Sequence, residues 1–512
     1  FTDARLTVRF ERNDERIDLR GYFAADGRAA DTGASAGRTW QVRFAPPSPG
    51  VWRYRAALRT GPGVALSDDP LAGQPASLTD AQGQIDVRRD PTVAVSATDL
   101  RSGGVIRADR GYFIDSTTGE VFLKAGANSP ENFLAYAGFD GTYVRRTSSR
   151  EGEAARDTTL RDFAAHRRDW RDGDPLWRGD RGKGIVGAVN YLADQGMNAV
   201  YFLTMNIDGD GNDVWPYATP EDRTRFDVSK LAQWDRLFEH MQARGLMLHM
   251  VLQETENERL LDDGDTGPER SLYLLELIAR FGHHRALAWN LGEENGPAHW
   301  SPVAQDDAQR RAMAAFLARH DPYDHPILLH THADPDTKTP VLMPLLGFAP
   351  LDGLSLQVDA PSHVNADVRR WRQRSRDAGH PWIVSMDEIG PWHTGAAPDS
   401  RDPDHDVLRR HVLWGSLLGG ATGVEWYFGA HQPGNDLSAR DWRAYHRLWQ
   451  QTRVAIDLLA PFRLTDWSPC NARLASNTYC LGRLDDALVI YAEGGTDIEI
   501  DLSDSAFRYT SY

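Results

Sequence analysis

The chain reads as an α/β protein built on a (β/α)8 TIM barrel, with an N-terminal β-sandwich and a small C-terminal β domain. Three observations lead there. Eight short apolar runs are spread across the middle of the chain, helical segments separate them, and period-two alternation marks the stretches before and after. At 512 residues the chain is also too long for one compact core, so several domains are expected.

Residues 1–98 form the expected sandwich, of Ig-like type. The segments 5–10 (Arg-Leu-Thr-Val-Arg-Phe) and 39–44 (Thr-Trp-Gln-Val-Arg-Phe) alternate apolar with polar residues, as half-buried strands do. Turn signals lie between them, among them Pro46-Pro47-Ser48-Pro49-Gly50. The region carries no catalytic constellation, which makes it a packing or substrate-presenting module.

Residues 99–462 form the expected barrel. The strand-like runs are 121–126, 199–203, 246–251, 286–291, 327–330, 353–356, 382–385 and 423–427. Their alternation with helices implies a parallel sheet. One helix is well marked. Asp227 caps it, Leu231, Trp234, Leu237, Phe238 and Met241 share a face, and Gly245 stops it. The charged connection from Glu131 to about Gly184 is long for a βα loop and reads as a lid or substrate wall. Residues 463–512 return to short strands, with Leu488 to Tyr491 the clearest and Gly494-Gly495 as a turn.

Composition narrows the function. A net charge of −16 disfavours a nucleic-acid partner, and no apolar run reaches the length of a membrane span. The two cysteines, Cys470 and Cys480, either form one local disulfide or remain two core thiols. Signatures of serine hydrolases, phosphate-binding loops and zinc helices are absent, and the adjacent His283-His284 should point apart with no third ligand at suitable spacing. No cofactor is required by what remains.

Chemistry in such a barrel collects where strands end at the C-terminal face. The fourth run ends Trp289-Asn290-Leu291-Gly292-Glu293-Glu294-Asn295, and the seventh ends Asp387-Glu388-Ile389-Gly390. Acidic residues beside glycines at two facing strand ends go beyond what helix caps or rim salt bridges require. A retaining glycosidase needs one carboxylic acid to protonate the leaving oxygen and one carboxylate to attack the anomeric carbon, about 5–5.5 Å apart.

These residues resemble glycoside hydrolase clan A, in which an Asn-Glu pair after strand four supplies the acid/base and a Glu after strand seven the nucleophile. The resemblance makes Glu294 the acid/base and Glu388 the nucleophile. Glu293 stands where the clan has the Asn that binds the sugar 2-hydroxyl, a departure bearing on the bound sugar and on how roles divide between Glu293 and Glu294. The whole chain is similar to a bacterial glycosidase group with an N-terminal β domain of unassigned function, a barrel and a C-terminal domain of collagen-binding type.

Candidate sugar contacts near the strand ends are Glu293, Asn295, His330, Gln357, Trp392, His393, Glu425 and Trp426. Flat aromatic faces cover sugar C–H faces and polar groups bind hydroxyls. Glu425 reads equally as a buried ion-pair partner. The loop from Asp208 to Asp213 places Asp208, Asp210 and Asn212 where a calcium ion could sit, or is a plain acidic turn. A polysaccharide or oligosaccharide is thus the expected partner, and a secreted or periplasmic location follows from it. The start at Phe1, inside a strand-like segment, fits a leader upstream. A binding-only degenerate barrel and a polysaccharide lyase are the competing readings.

Overall fold

The computed structural model describes residues 1–88, 98–145, 160–474, 478–492 and 498–500. Its centre is a closed barrel of eight parallel strands. They are β1 (Lys124–Ala127), β2 (Ala199–Leu203), β3 (Met247–Val251), β4 (Leu287–Asn290), β5 (Ile327–His330), β6 (Gly353–Val358), β7 (Ile383–Ile389) and β8 (Gly423–Trp426). β1 pairs with both β2 and β8, which closes the ring. Each strand overlaps one of the eight apolar runs, because strands buried on both faces must be apolar almost throughout.

Period-two alternation divides the barrel interior into layers. At the N-terminal end Ala199, Met247, Ala288, Leu328 and Ile383 meet Ile106 and Phe113, which come from a hairpin (Ile106–Asp109 with Tyr112–Asp115) that plugs the barrel. Two residues further along the same strands the inward positions turn polar. His249 follows Met247, Asn290 follows Ala288 and His330 follows Leu328, all of them buried. An apolar plug beneath a polar layer leaves the chemistry at the C-terminal mouth.

The helix Val228–Ala243 shows how sequence sets an element. The Asp227 carboxylate accepts from Lys230 N at 3.0 Å, and Leu231, Trp234, Leu237, Phe238 and Met241 are buried. Gly245, at φ +84°, reverses the chain into β3, a conformation that strains any residue with a Cβ. No helix among the described residues is long and apolar enough to cross a membrane.

The N-terminal region is an antiparallel sheet. Glu15–Arg20, Ala4–Arg12, Gly50–Thr60 and Gln74–Ala76 pair in that order, and Gln82–Val87 also pairs with the long strand Gly50–Thr60. Leu6, Val8, Phe10 and Trp52 form its core. The segment 39–44 is strand only at Trp40–Gln41, which pairs with Tyr22–Phe23; Val42 and Phe44 pack on the core without ladder bonds. The C-terminal region is a three-stranded sheet of Ser468–Pro469, Thr478–Gly482 and Leu488–Ala492, stapled by a Cys470–Cys480 disulfide. The Gly494-Gly495 turn lies outside the described residues.

Aromatic residues of the long connection after β1 anchor it to the core, while its Arg and Asp residues around 167–181 are largely exposed. Phe133 stacks on Trp442 and Phe139 on Trp177, while residues 146–159, with Arg146, lie outside the described residues.

Candidate active site

In the polar layer one buried lysine gathers two carboxylates. Lys124 Nζ lies 2.8 Å from Asp387 and 2.8 Å from Glu425, all three side chains fully buried. His249 Nδ1 meets Glu425 at 2.8 Å while its Nε2 faces the Asn290 amide at 3.1 Å. Asn290 Oδ1 already accepts from the His330 and Gly292 backbone, so its NH2 faces His249 Nε2, while His249 Nδ1 lies 3.0 Å from Lys124 Nζ as well as beside Glu425. Burial, reinforced by Lys124, holds His249 well below the usual histidine range, hence neutral. Glu425 is therefore an ion-pair partner inside the barrel and not a sugar contact.

Asp387 and Glu388 are neighbours on β7, and neighbours in a regular strand face opposite ways. Here both turn inward. The pairing of β6 with β7 slips between Leu356 and Gln357, so that Leu356 opposes Met386 and Gln357 opposes Glu388, leaving Asp387 as the extra residue. The bulge sends Asp387 down to Lys124 and lifts Glu388 to the mouth.

At the mouth the Gln357 amide joins the two candidate catalytic groups. Its Nε2 donates to Glu388 Oε1 at 2.6 Å and to Glu294 Oε1 at 3.0 Å. Two carboxylates reached by one nitrogen are close neighbours. Glu294 holds φ at +39°, in the left-handed region that costs a non-glycine residue about 1–3 kcal/mol. Its side chain keeps 20% of its surface exposed, against 5% for Glu388, so Glu294 faces the opening and Glu388 the interior. His330 Nε2 lies 3.3 Å from Glu388 Oε2, and burial lowers His330 to about 4, so this neighbour adds no positive charge at neutral pH.

Glu293 sits beside this pair, 4% exposed, with Oε2 lacking a hydrogen-bond partner and the Tyr201 hydroxyl bound to its carboxylate. Burial first, then repulsion from Glu388 and Glu294, pushes Glu293 well above the usual carboxylate range. Glu388 is raised for the same reasons, burial followed by Glu294 and Asp436, against which the Gln357 amide works.

The pocket over these groups is strongly acidic. Glu131, Asp210, Glu254 and Asp436 line it with Glu293, Glu294 and Glu388, beside Trp392 and Tyr427, and no Lys, Arg or His does so among the described residues. Glu131 is 5% exposed, and burial followed by repulsion from Glu293 and Asp436 raises it well above the ordinary range. Tyr427 donates its hydroxyl to the Trp392 carbonyl at 2.7 Å, which fixes the backbone beneath the Trp392 ring.

Other expected contacts are placed differently. Trp426 is fully buried and donates to Thr452 Oγ1 at 2.9 Å, so its ring belongs to the core and offers no face to a sugar. Asn295 is 1% exposed and accepts from Arg310, which makes it a brace for the loop after β4. His393 is exposed and meets Trp392 edge to face at 5.4 Å, at the outer rim. In the acidic loop Asp208 pairs with Arg145 at 3.0 Å and the Asn212 amide bonds the Gly209 carbonyl. Asp210 instead faces Glu131 and Glu254. The three side chains do not converge as a calcium loop requires. Gly209 has its own reason to be glycine, because a Cβ there would fall 1.4 Å from Glu254 Oε2.

Sequence reasoning missed Glu131, Tyr201 and Asp436. Glu131 had a signal, since it follows β1 by four residues, at the same end as the other carboxylates. Asp436 lies well past β8 and had none.

A family described as a domain of unknown function (DUF5060) matches residues 1–59. No curated protein matches the sequence. Among solved structures, a protein of Bacteroides vulgatus ATCC 8482 described as a putative glycoside hydrolase is 14% identical, with 95% of this chain and 81% of that one covered at a TM-score of 0.55. A glycoside hydrolase family 5 protein from the same strain is 15% identical, covering 82% and 85% at 0.53. A third, described as a glycoside hydrolase, is 13% identical, covering 79% and 86% at 0.52. At these identities the likeness is one of fold, the closed eight-stranded parallel barrel with helices around it.

Proposed function

We propose that the protein is a retaining glycoside hydrolase acting on a polysaccharide or an oligosaccharide derived from it. The observation that carries the reading is the Gln357 amide bonded to both Glu388 and Glu294, which holds two carboxyl groups at the mouth of a barrel within a single span. The solved structures similar in fold are described as glycoside hydrolases, which supports the same reading.

Glu388, the deeper group, attacks the anomeric carbon, and Glu294, on the open side, gives its proton to the departing glycosidic oxygen. The bond to the leaving sugar breaks as the ester to Glu388 forms. Glu294, now ionised, takes a proton from water, whose oxygen attacks the anomeric carbon and releases Glu388. Gln357 stabilises the carboxylate form of whichever partner is charged. Glu293, whose proton is held more tightly by burial and its neighbours, stands where the clan uses an amide to bind the sugar 2-hydroxyl. Trp392 supplies the apolar face.

The acidic lining bears on the substrate. Carboxylates predominate among the described residues of the lining and the chain carries a net charge of −16, both of which disfavour uronic acids and sulfates and favour a neutral glycan. Such a polymer is met outside the cytoplasm, and the Cys470–Cys480 disulfide agrees with an oxidising compartment. The test is release of reducing sugar from a panel of neutral and acidic polysaccharides, with Glu388→Gln as control. Release from a neutral glycan by the wild type alone is expected. Equal release by both proteins would overturn the role of Glu388, and ultraviolet-absorbing unsaturated products would mean a lyase.

A further inference from the structure

A second cluster of metal-ligating side chains lies outside the barrel, where its helices meet the N-terminal region. Asp235 belongs to the helix Val228–Ala243, and His283 and His284 follow the helix Pro268–Phe281. The two imidazoles do not point apart as adjacency suggested. Their ring centroids are 4.1 Å apart with the planes tilted by 36°. The third ligand that spacing along the chain did not offer comes from the neighbouring helix. One ligand atom from each of Asp235, His283 and His284 lies within 4.8 Å of the other two, and His284 Nε2 is 3.9 Å from Asp235 Oδ1.

Each residue of the cluster has unmet bonding capacity. His283 Nδ1, His284 Nε2 and Asp235 Oδ1 are each buried without a hydrogen-bond partner. A buried polar atom left unpaired destabilises the fold, so three at one place are not what packing alone selects. His325, close by, shows the ordinary arrangement: both of its ring nitrogens are engaged, by Asp321 at 2.8 Å and by the His284 carbonyl at 2.8 Å. Around Asp235 a supporting shell is already in place. Its other oxygen accepts from Arg43, which is itself held by the Tyr22 hydroxyl at 3.1 Å and Glu239 at 3.4 Å.

We propose that Asp235, His283 and His284 bind one divalent transition-metal ion of the Zn2+ class. Two imidazole nitrogens and one carboxylate oxygen suit a borderline ion in a tetrahedral site with a fourth position for water, whereas Ca2+ and Mg2+ prefer oxygen donors throughout. Bonds of about 2.0–2.2 Å ask the three atoms to draw somewhat closer, a movement within reach of side-chain rotation. Arg43 comes from the N-terminal region and holds one ligand, so the ion ties that region to two barrel helices. The role is structural and independent of hydrolysis.

The experiment is calorimetric titration of untagged, chelator-stripped, full-length protein with ZnCl2, together with its melting temperature and the visible spectrum after Co2+ is added instead. One Zn2+ per chain, a raised melting temperature and the intense Co2+ bands of a tetrahedral site are expected. His284→Ala and Asp235→Asn should each weaken Zn2+ at least about tenfold. Glu388→Gln should leave binding intact, which separates this site from the Glu293–His330–Glu388 group at the mouth. If a ligand variant fails to fold, the Co2+ spectrum of the wild type decides alone. Substoichiometric binding, binding that survives both ligand variants, or a Co2+ spectrum without tetrahedral bands would overturn the proposal.

Discussion

On the barrel axis two clusters of buried acid lie one above the other. In the lower, Asp387 and Glu425 share the ammonium group of Lys124, and His249 adds a further bond. In the upper, Glu131, Glu293 and Glu388 are almost as deeply buried, yet the charges that push on them are those of other carboxylates, Glu294 and Asp436 among them. Both clusters face the barrel interior and both carry acidic residues that no core needs. What separates them is compensation. Charge taken out of water and paired is architecture, whereas charge taken out of water and left facing its like is held against its own stability. The proposed function gives that arrangement a partner in the substrate.

The contrast can be broken at either end. Removing the proposed nucleophile should have the largest effect: Glu388→Gln is expected to lower turnover on the order of 10^4-fold or more while the melting temperature holds or rises. A melting temperature that drops by many degrees would place Glu388 with the compensated layer. Glu294→Gln should cost about 10^2- to 10^4-fold on a natural glycosidic bond and far less on an aryl glycoside with a good leaving group, which needs no proton. Equal losses on both substrates would remove Glu294 from the acid role.

Below the mouth the expectation reverses. Lys124→Met strands Asp387 and Glu425 without their cation, and unfolding measurements should show a loss of about 3–5 kcal/mol. A loss under about 1 kcal/mol would mean the lower carboxylates are not held by charge at all.

Two smaller effects follow from the raised groups. A carboxyl whose folded pKa lies above its unfolded value contributes stability at low pH that is lost as pH rises through the folded value. Glu131→Gln should therefore stabilise the protein by about 1 kcal/mol at neutral pH, with a gap that closes toward pH 4. A gap that widens in acid would contradict the sign. Glu388 must be ionised to attack, so activity should fall with acid at a pH above the ordinary glutamate range of about 4.3. Asp436→Asn removes one of the charges that raise it and should move that limb downward.

The barrel was legible because strands covered on both faces cannot hide their apolar runs, and the catalytic candidates because they follow those runs directly. The polar layer was legible only in part. Lys124 in a Phe-Leu-Lys-Ala stretch and His249 in Met-Leu-His-Met break apolar runs, a visible sign of an inward polar position, but the bulge that turns both Asp387 and Glu388 inward exists only in the pairing of two strands. Trp426 is the last residue of β8 and Trp392 lies three residues past β7, so the pleat turns the first into the core while the loop carries the second to the pocket. The Asp208 loop misled for a related reason. Its glycine spacing suits a cation, yet Gly209 makes room for Glu254, which arrives from the end of another strand. Residues brought together across helices, as Asp235 is with His283 and His284, leave no trace in spacing along the chain.

The division of labour between Glu388 and Glu294 is the centre of the account, and the configuration of the first product reports on it most directly. Hydrolysis of the preferred glycan followed by proton NMR, before the free sugar equilibrates, distinguishes the outcomes. Two carboxylates bridged by one amide nitrogen predict retention of the anomeric configuration. Inversion would mean that water attacks in place of Glu388, and would contradict the assignment.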